Sequence, residues 1–410
     1  MNSSGAGKIA VMIGAGNIGR GFVGAAFALS GYEVVFVDVD EDLVDMINSR
    51  GEYPVRILLP NGTYTETVIH GVRAVNGKDS GAAAAVIARA EICATAVGVR
   101  ALPYIASELA LGIALRTRNE APPLNIIVCE NLIDAGEQLR GYVREVIPPV
   151  LQTITDELTG YPEAVIGRMV PIQTDEMKDG DPLRVCVEKY SFLPVDKAAF
   201  KGDIPVIENM VPLDEFEYYV KRKLFIHNLG HATAAYLGLL KGYTYIAEAM
   251  EDADILYMTA SAMRESAAAL NCENPGDKVN LSRSIDSLLY RFSNKALGDT
   301  CARVAADPAR KLGNNDRIIG ALLNCESYRL PATYIAAVAA AAALILEKTH
   351  SEKGDIPNLA EVTGLSPDLA AYKMIMTLGT TCASAAVRGE DAVASLRRSA
   401  VKNSGDITIL

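Results

Sequence analysis

The segment Lys8-Ile-Ala-Val-Met-Ile13, running into Gly14-Ala-Gly16-Asn17-Ile18-Gly19 and then Arg20-Gly21-Phe22, leaves this chain few ways to begin folding. An apolar strand stops at a glycine loop and hands over to an apolar helix pattern, the arrangement of a dinucleotide-binding βαβ unit. Gly14 permits the tight turn, Gly16 lets the backbone approach a pyrophosphate, and Gly19 lets helix and strand pack closely. The helix N-terminus, with Asn17 and Ile18, offers unpaired amides to the phosphates. A second strand-like run, residues 33–38, ends in Asp38, roughly 20 residues beyond the loop, where a carboxylate reaches ribose hydroxyls. Asp40, Glu41 and Asp42 add negative charge that repels a 2′-phosphate, so NAD is the expected cofactor.

Two later strand ends extend the same domain. Thr95-Ala96-Val97-Gly98 and Cys129-Glu130-Asn131 put small or polar residues where apolar runs stop, the edge at which open α/β sheets bind ligands. Asn131 reads either as a donor to a developing oxyanion or as the N-cap of a helix over residues 132–146.

Far down the chain, Lys223-Leu-Phe-Ile-His227-Asn228-Leu-Gly-His231 sets a potential base, an amide and an imidazole within two helical turns. At about 100° per residue, Asn228 lies about 140° and His231 about 80° around the helix from Lys223, so the three side chains can meet one ligand. Apolar neighbours such as Leu224 and Ile226 would disfavour the ammonium and move Lys223 toward the neutral amine that a general base needs. The same residues also describe an amphipathic helix with one buried histidine. His227 and His231, at i and i+4, have a spacing that metals use, but there is no Glu between them and no clear third ligand, so no metal is expected. His70 and His350, the latter read in a polar loop after a long helix, are expected to be structural or solvent-facing.

The chain has 410 residues, room for two domains, and its 39 basic and 50 acidic residues give a net charge of −11, which argues against nucleic-acid and anionic-membrane partners. Seven cysteines without a Cys-x-x-Cys pair read as buried free thiols in a reducing cytoplasm. A strand beginning by Lys8 leaves no room for a signal peptide, and the apolar run 334–346 is too short to span a bilayer. Strand and helix patterns alternate to about Tyr190, ending in a strand over 183–188. Residues 193–207, with Pro194, Gly202 and Pro205, read as a crossover. Helical patterns follow over 213–240, 244–269, 282–290, 332–346 and 367–379. The expected fold is an α/β Rossmann-type dinucleotide-binding domain, residues 1–195, followed by a mainly α-helical substrate domain, residues 196–410. In the helical part, Arg291-Phe-Ser-Asn294-Lys295 and Arg310-Lys311-Leu-Gly-Asn-Asn-Asp316-Arg317 gather cations that either hold an anion or line a solvated face.

These motifs, in this order, make the chain resemble the polyol-specific long-chain dehydrogenases from about Lys8 to about Leu346. The resemblance implies metal-independent, NAD-linked oxidation of a secondary alcohol. Lys223 would be the general base, Asn131 and Asn228 would polarise the oxygen, and His231 would orient the substrate. Glu130, Arg291, Asn294, Arg310, Lys311 and Arg317 would contact the substrate. The branch most like this chain implies mannitol 1-phosphate, oxidised at C5 to fructose 6-phosphate by a cytoplasmic enzyme that can work as a monomer. Two departures bear on the substrate: Gly167-Arg168 stands where the family usually has Asp-Arg, and Lys295 replaces a common proline. A free polyol, a hexuronate, or a sensor that binds NAD without chemistry remain alternatives, and the region after Glu347 does not align.

Overall fold

The computed structural model describes residues 7–351 and 357–404, which fall into two compact units. One runs to Val220 apart from residues 60–62, and the other continues from Lys221. The first is built on a six-stranded sheet of β1 (Ile9–Ile13), β2 (Glu33–Asp38), β5 (Val72–Asn76), β6 (Ile92–Thr95), β7 (Leu124–Val128) and β8 (Thr159–Gly160), ordered β5-β2-β1-β6-β7-β8. Every pair in it is parallel. β1 is buried along its whole length, as an apolar strand covered on both faces should be, with one core on either side of the sheet. Beside it, β3 (Glu52–Leu58) pairs antiparallel with β4 (Tyr64–His70) and parallel with β9 (Val185–Glu188). A Cβ on Gly21 would lie 2.8 Å from Val185 and Val187 side chains, so the helix that follows the glycine loop packs on β9 only because residue 21 has no side chain.

Residues 193–207 are not a plain crossover. β10 (Leu193–Asp196) pairs in parallel with β11 (Met210–Leu213), and Leu193 and Val195 are fully buried. Tertiary pairing overrides the Pro194 signal, Gly202 and Pro205 lie in the irregular stretch between the two strands, and the helical pattern expected from residue 213 begins at Phe216. The second unit is then helical. The Leu229–Lys241 helix is buried along most of its length and meets the Ala253–Glu273 helix where a Cβ on Gly230 would sit 2.5 Å from the Met263 sulfur. The Thr333–Ser351 helix is lined with buried alanines, and His350 lies in its last turn rather than in a loop. Among the described residues no helix is long and apolar enough to cross a membrane.

The region after Glu347 belongs to this core. Helices Ala370–Val387 and Ala392–Asn403 bury Leu378, Cys382 and Leu396. Arg397 donates to Asp254 at 2.6 Å and lies over the Tyr257 ring, while Asp391 pairs with Lys241 at 2.9 Å. Six of the seven cysteines are buried and none is in a disulfide.

Glu265 receives the first turn of the Thr333–Ser351 helix, accepting from Tyr334 N at 2.9 Å and Ile335 N at 3.0 Å. Burial raises its pKa from 4.5 to about 7, against the opposing pull of those amides. A carboxyl whose folded pKa exceeds its unfolded value contributes stability that is complete below about pH 4.5 and lost as pH rises through about 7. Glu265→Gln, which cannot ionise, should therefore gain stability relative to the parent between pH 5 and 8, by at most about 3 kcal/mol. Melting curves at the two pH values test this, and a parent-to-variant difference that does not change with pH contradicts it.

Candidate functional site

In the first unit the parallel register sets the site. Ile13 pairs with Val37 on one side and Thr95 on the other, so β1, β2 and β6 end at one level. The strand order turns back at β1, and the crevice beyond the carboxyl ends at such a point is where open sheets bind ligands. The glycine loop is held there by Gly14 N to Val37 O at 2.8 Å and Ala15 N to Asp38 Oδ2 at 2.6 Å. Gly14 has φ +97°, and a Cβ on it would come within 2.6 Å of Ala96 O. On Gly19 a Cβ would overlap Gly14 O at 2.0 Å. Gly16 is exposed and meets nothing within 4 Å, so the loop has open space where a pyrophosphate must approach and none where the backbone must close up. This cradle fits a dinucleotide.

Asn17 is exposed and Ile18 packs partly on the core; beyond them the helix opens with a π turn, Gly19–Val23, before Gly24–Leu29. Asp38 also accepts from Asp40 N, yet a carboxylate has about four acceptor sites and keeps capacity for a ribose. Asp40 caps the Glu41–Arg50 helix, and Glu41 pairs with Lys78. Thr95 is buried, Ala96 and Val97 half-buried and Gly98 exposed with φ +86°. Glu130 serves this segment: its carboxylate accepts from Thr95 Oγ1 at 2.6 Å and Val97 N at 3.0 Å. Burial raises the Glu130 pKa against those two bonds. Asn131 is exposed and is no N-cap, because the helix starts at Ala135 with Asp134 in the cap position at φ +56°.

Two arginines buttress the loop and were not singled out from sequence. Buried Arg20 donates to Ala15 O at 2.7 Å and Leu183 O at 2.5 Å. Arg168 donates to Gly21 O and Glu188 O, both at 2.9 Å, and lies over Phe22, with burial lowering its pKa to about 10. Their acceptors are main-chain carbonyls, most of them distant in sequence, which leave no sequence signal. At Gly167 a Cβ would sit 3.0 Å from the Tyr190 ring, so that ring holds the space a larger residue would need.

In the second unit, Lys223–Asn228 is a π turn continuous with the helices on either side, Phe216–Arg222 and Leu229–Lys241. The 100° spacing assumed for an α-helix does not apply. With i→i+5 bonding the turn is wider, so Asn228 lies through a smaller angle around the axis from Lys223 than it would on an α-helix. Asn228 makes no side-chain cap. Lys223 is half-buried, and burial first, then the charge of Arg317, lowers its pKa to about 8. Arg317 follows a loop that leads into the Ile319–Ser327 helix, whose Gly320 sits against Phe225, where a Cβ would be 2.9 Å from the ring.

His227 is pushed well below its ordinary pKa by burial and then by the charges of Arg291, His231, Lys223 and Arg317, so it is neutral. The same cause shows that Arg291 and Arg317 belong to the Lys223 cluster. His231 stacks on Phe292 with ring centroids 4.9 Å apart and planes at 8°, and its Nε2 meets Asp299 Oδ2 at 3.1 Å. Among the described residues no group of three His, Cys, Asp or Glu side chains is arranged to hold a metal.

The remaining cations are largely matched. Arg310 pairs with Asp307 at 2.9 Å and Asp316 at 2.7 Å, and Arg317 donates to Asp316 at 2.8 Å. Lys311 donates to Ala306 O; burial, then Arg317 and Arg310, lowers its pKa to about 8. Buried Asn294 accepts from Ala296 N at 3.1 Å. Lys295 pairs with Glu251 at 2.6 Å. The sequence gives no sign of Asp299 or of the buried Tyr236, whose hydroxyl has no hydrogen-bond partner among the described residues.

Family models match most of the chain: the mannitol dehydrogenase Rossmann domain over residues 8–209 and the mannitol dehydrogenase C-terminal domain over 215–364. The chain belongs to the mannitol dehydrogenase family. A mannitol-1-phosphate 5-dehydrogenase of Brevibacillus brevis is 40% identical over 334 residues, covering 82% of this chain and 85% of that one. One of Geobacillus thermodenitrificans is 36% identical over 367 residues, covering 88% and 93%. A D-sorbitol dehydrogenase solved in substrate-free form shares the fold at TM-score 0.74 and 16% identity, covering 94% of each chain. The Pseudomonas fluorescens mannitol 2-dehydrogenase, solved with NAD and D-mannitol, does so at TM-score 0.68 and 17% identity, covering 97% of this chain and 92% of that one.

The loop geometry separates two glycines by substitution. Gly16→Ala should leave the melting temperature within about 2 °C of the parent, since its Cβ meets nothing, while weakening NADH binding about tenfold or more. Gly14→Ala should cost about 1–3 kcal/mol of stability as well, from its φ and the Ala96 contact. Equal effects of the two on both thermal stability and NADH fluorescence titration would refute this division of labour.

Proposed function

We propose that this protein catalyses the NAD-linked interconversion of mannitol 1-phosphate and fructose 6-phosphate, with Lys223 as general base. The observation that carries the reading is the Lys223 amine, held near pKa 8 by burial and by Arg317 in a π turn that also bears Asn228. The names of the relatives at 35–40% identity support the substrate. Bound NAD⁺ supplies the hydride acceptor, with Gly14, Gly16, Asn17, Ile18, Gly19, Asp38 and residues 95–98 as its binding set. In oxidation, neutral Lys223 takes the proton from the C5 hydroxyl. In reduction, its ammonium returns that proton to the carbonyl oxygen. Asn228 and Asn131 polarise the oxygen as charge develops on it, and His231 orients the substrate. Glu130 and Asn294 complete the polar surroundings, and Arg291, Arg317, Arg310 and Lys311 supply positive charge for the phosphate. Cytoplasmic localisation and a monomeric working form complete the reading.

A second reading, a free polyol or a hexuronate as substrate, draws on the carboxylates that already face Arg310 and Lys295. NADH consumption with fructose 6-phosphate, beside fructose, fructuronate and tagaturonate in the presence of EDTA, separates the two. Turnover of the phosphorylated ketose alone is expected, and turnover of an uncharged or carboxylated one instead refutes the phosphate assignment.

Lys223→Ala should lower kcat by about 10²- to 10⁴-fold with little change in NADH affinity. Because the free amine is the working form in oxidation, that rate should climb as pH rises through about 8, and the reductive rate should fall across the same interval. A variant rate near the parent's at neutral pH, or profiles of the same sign in both directions, would remove Lys223 from the role.

A further inference from the structure

His231 lies flat against Phe292, which fixes the plane of its ring but leaves the choice between its two flipped orientations open. Asp299 makes that choice. Its Oδ2 is 3.1 Å from His231 Nε2, and the side chains are only 11% and 14% exposed, so water competes little for the contact. Asp299 is itself held from three directions. Arg303 donates to both carboxylate oxygens, at 2.7 and 2.6 Å, Ile246 N donates to its backbone carbonyl at 2.9 Å, and the next residue, Thr300, caps the Cys301–Ala305 helix. Burial works against the Asp299 carboxylate, but the bonds and charges of His231 and Arg303 outweigh it and hold its pKa below the ordinary value.

We propose that Asp299 is a positioning residue: it accepts a proton bond from His231 Nε2 and thereby leaves Nδ1 as the nitrogen offered to a substrate hydroxyl. A carboxylate that sets the tautomer and orientation of an imidazole acts through it, without touching substrate. The catalytic part of this inference rests on the role proposed for His231, whereas the tautomer does not. Arg303 bonds the Asp299 carboxylate and neutralises its charge, and provides the control.

The test has two arms. Long-range ¹⁵N–¹H NMR of the full chain, which has only four histidines, should find His231 bonded at Nε2–H in the parent and altered in Asp299→Ala. A parent ring protonated at Nδ1 alone overturns the proposal, whatever the substrate proves to be. In steady-state kinetics with fructose 6-phosphate and NADH, Asp299→Ala should lower kcat roughly 10- to 100-fold with NADH affinity within about twofold. Asp299→Asn, which keeps an acceptor and the same shape, should recover part of the loss and stands in if the alanine variant fails to fold. Placed in a His231→Ala background, Asp299→Ala should cost nothing further. Losses that multiply in the double variant, or an Arg303→Ala variant as impaired as Asp299→Ala, overturn the positioning role. A parent protein inactive on fructose 6-phosphate sinks the substrate assignment while the NMR arm still decides the tautomer.

Discussion

The interaction on which the first unit depends is the close approach of Gly14 to Ala96 at the end of three parallel strands. β1 is sandwiched between β2 and β6 in a register that stops all three together. A loop leaving β1 must then cross the end of β6, and at 2.6 Å from Ala96 O there is no room for a Cβ. The other features of that edge answer the same constraint. Asp38 and Val37 bond the loop from the β2 side, Glu130 holds residues 95–97 from the β7 side, and Arg20 gathers the carbonyls of Ala15 and Leu183. A backbone that tight, with one open position at Gly16, is rigid everywhere except where a ligand is required to enter.

The second unit depends on how charge is compensated. Lys223 and Lys241 stand near opposite ends of one continuous helical run, and their surroundings drive them in opposite directions. Lys241 is half-buried too, but Asp252, Asp254 and Asp391 lie 2.8–3.4 Å away, and the bonds and charges of Asp252 and Asp391 raise its pKa against that burial. Lys223 is met by burial and by the like charge of Arg317, and falls to about 8. The first arrangement ties the C-terminal helices to the core; the second yields an amine that changes protonation near pH 8. Among the cations that sequence grouped together, Arg310 and Lys295 face carboxylates, Arg317 meets Asp316, and Arg291 and Arg317 both add to the field around His227.

What was legible in the sequence is what the backbone demands locally. The glycine loop and terminal Asp38 are legible because each glycine answers a steric need within a few residues. The strand ends at Thr95 and Cys129 follow from apolar runs that stop. The Lys223 to His231 cluster was legible as a group but not in its geometry, since a π turn arises from packing rather than from any residue preference. Asp299, Arg20 and Arg168 were out of reach, because their partners lie far along the chain or are main-chain carbonyls. β10 and β11 were hidden for a related reason, their pairing being decided by burial of Leu193 and Val195 against a core the local pattern does not describe.

Among the described residues two π turns interrupt helices, Gly19–Val23 and Lys223–Asn228, one at the glycine loop and the other at the proposed base. A π turn weakens the hydrogen-bond ladder, so it persists only where something else is gained. Around Gly19–Val23, Gly24 approaches Gly19 O so closely that a Cβ would be 2.6 Å from it, and the Phe36 ring fills the other side at 2.8 Å. The wide turn thus lets the helix seat on β2 while its first residues still point at the loop. At Lys223–Asn228 the extra residue moves Asn228 toward the Lys223 side, and Phe225 and Ile226 turn inward to bury the segment. The same residues wound as a plain α-helix would place Asn228 about 140° around the axis from Lys223, an angle the wider turn reduces. The irregularity narrows the angle between two polar side chains on a helix whose orientation is fixed by its buried apolar residues.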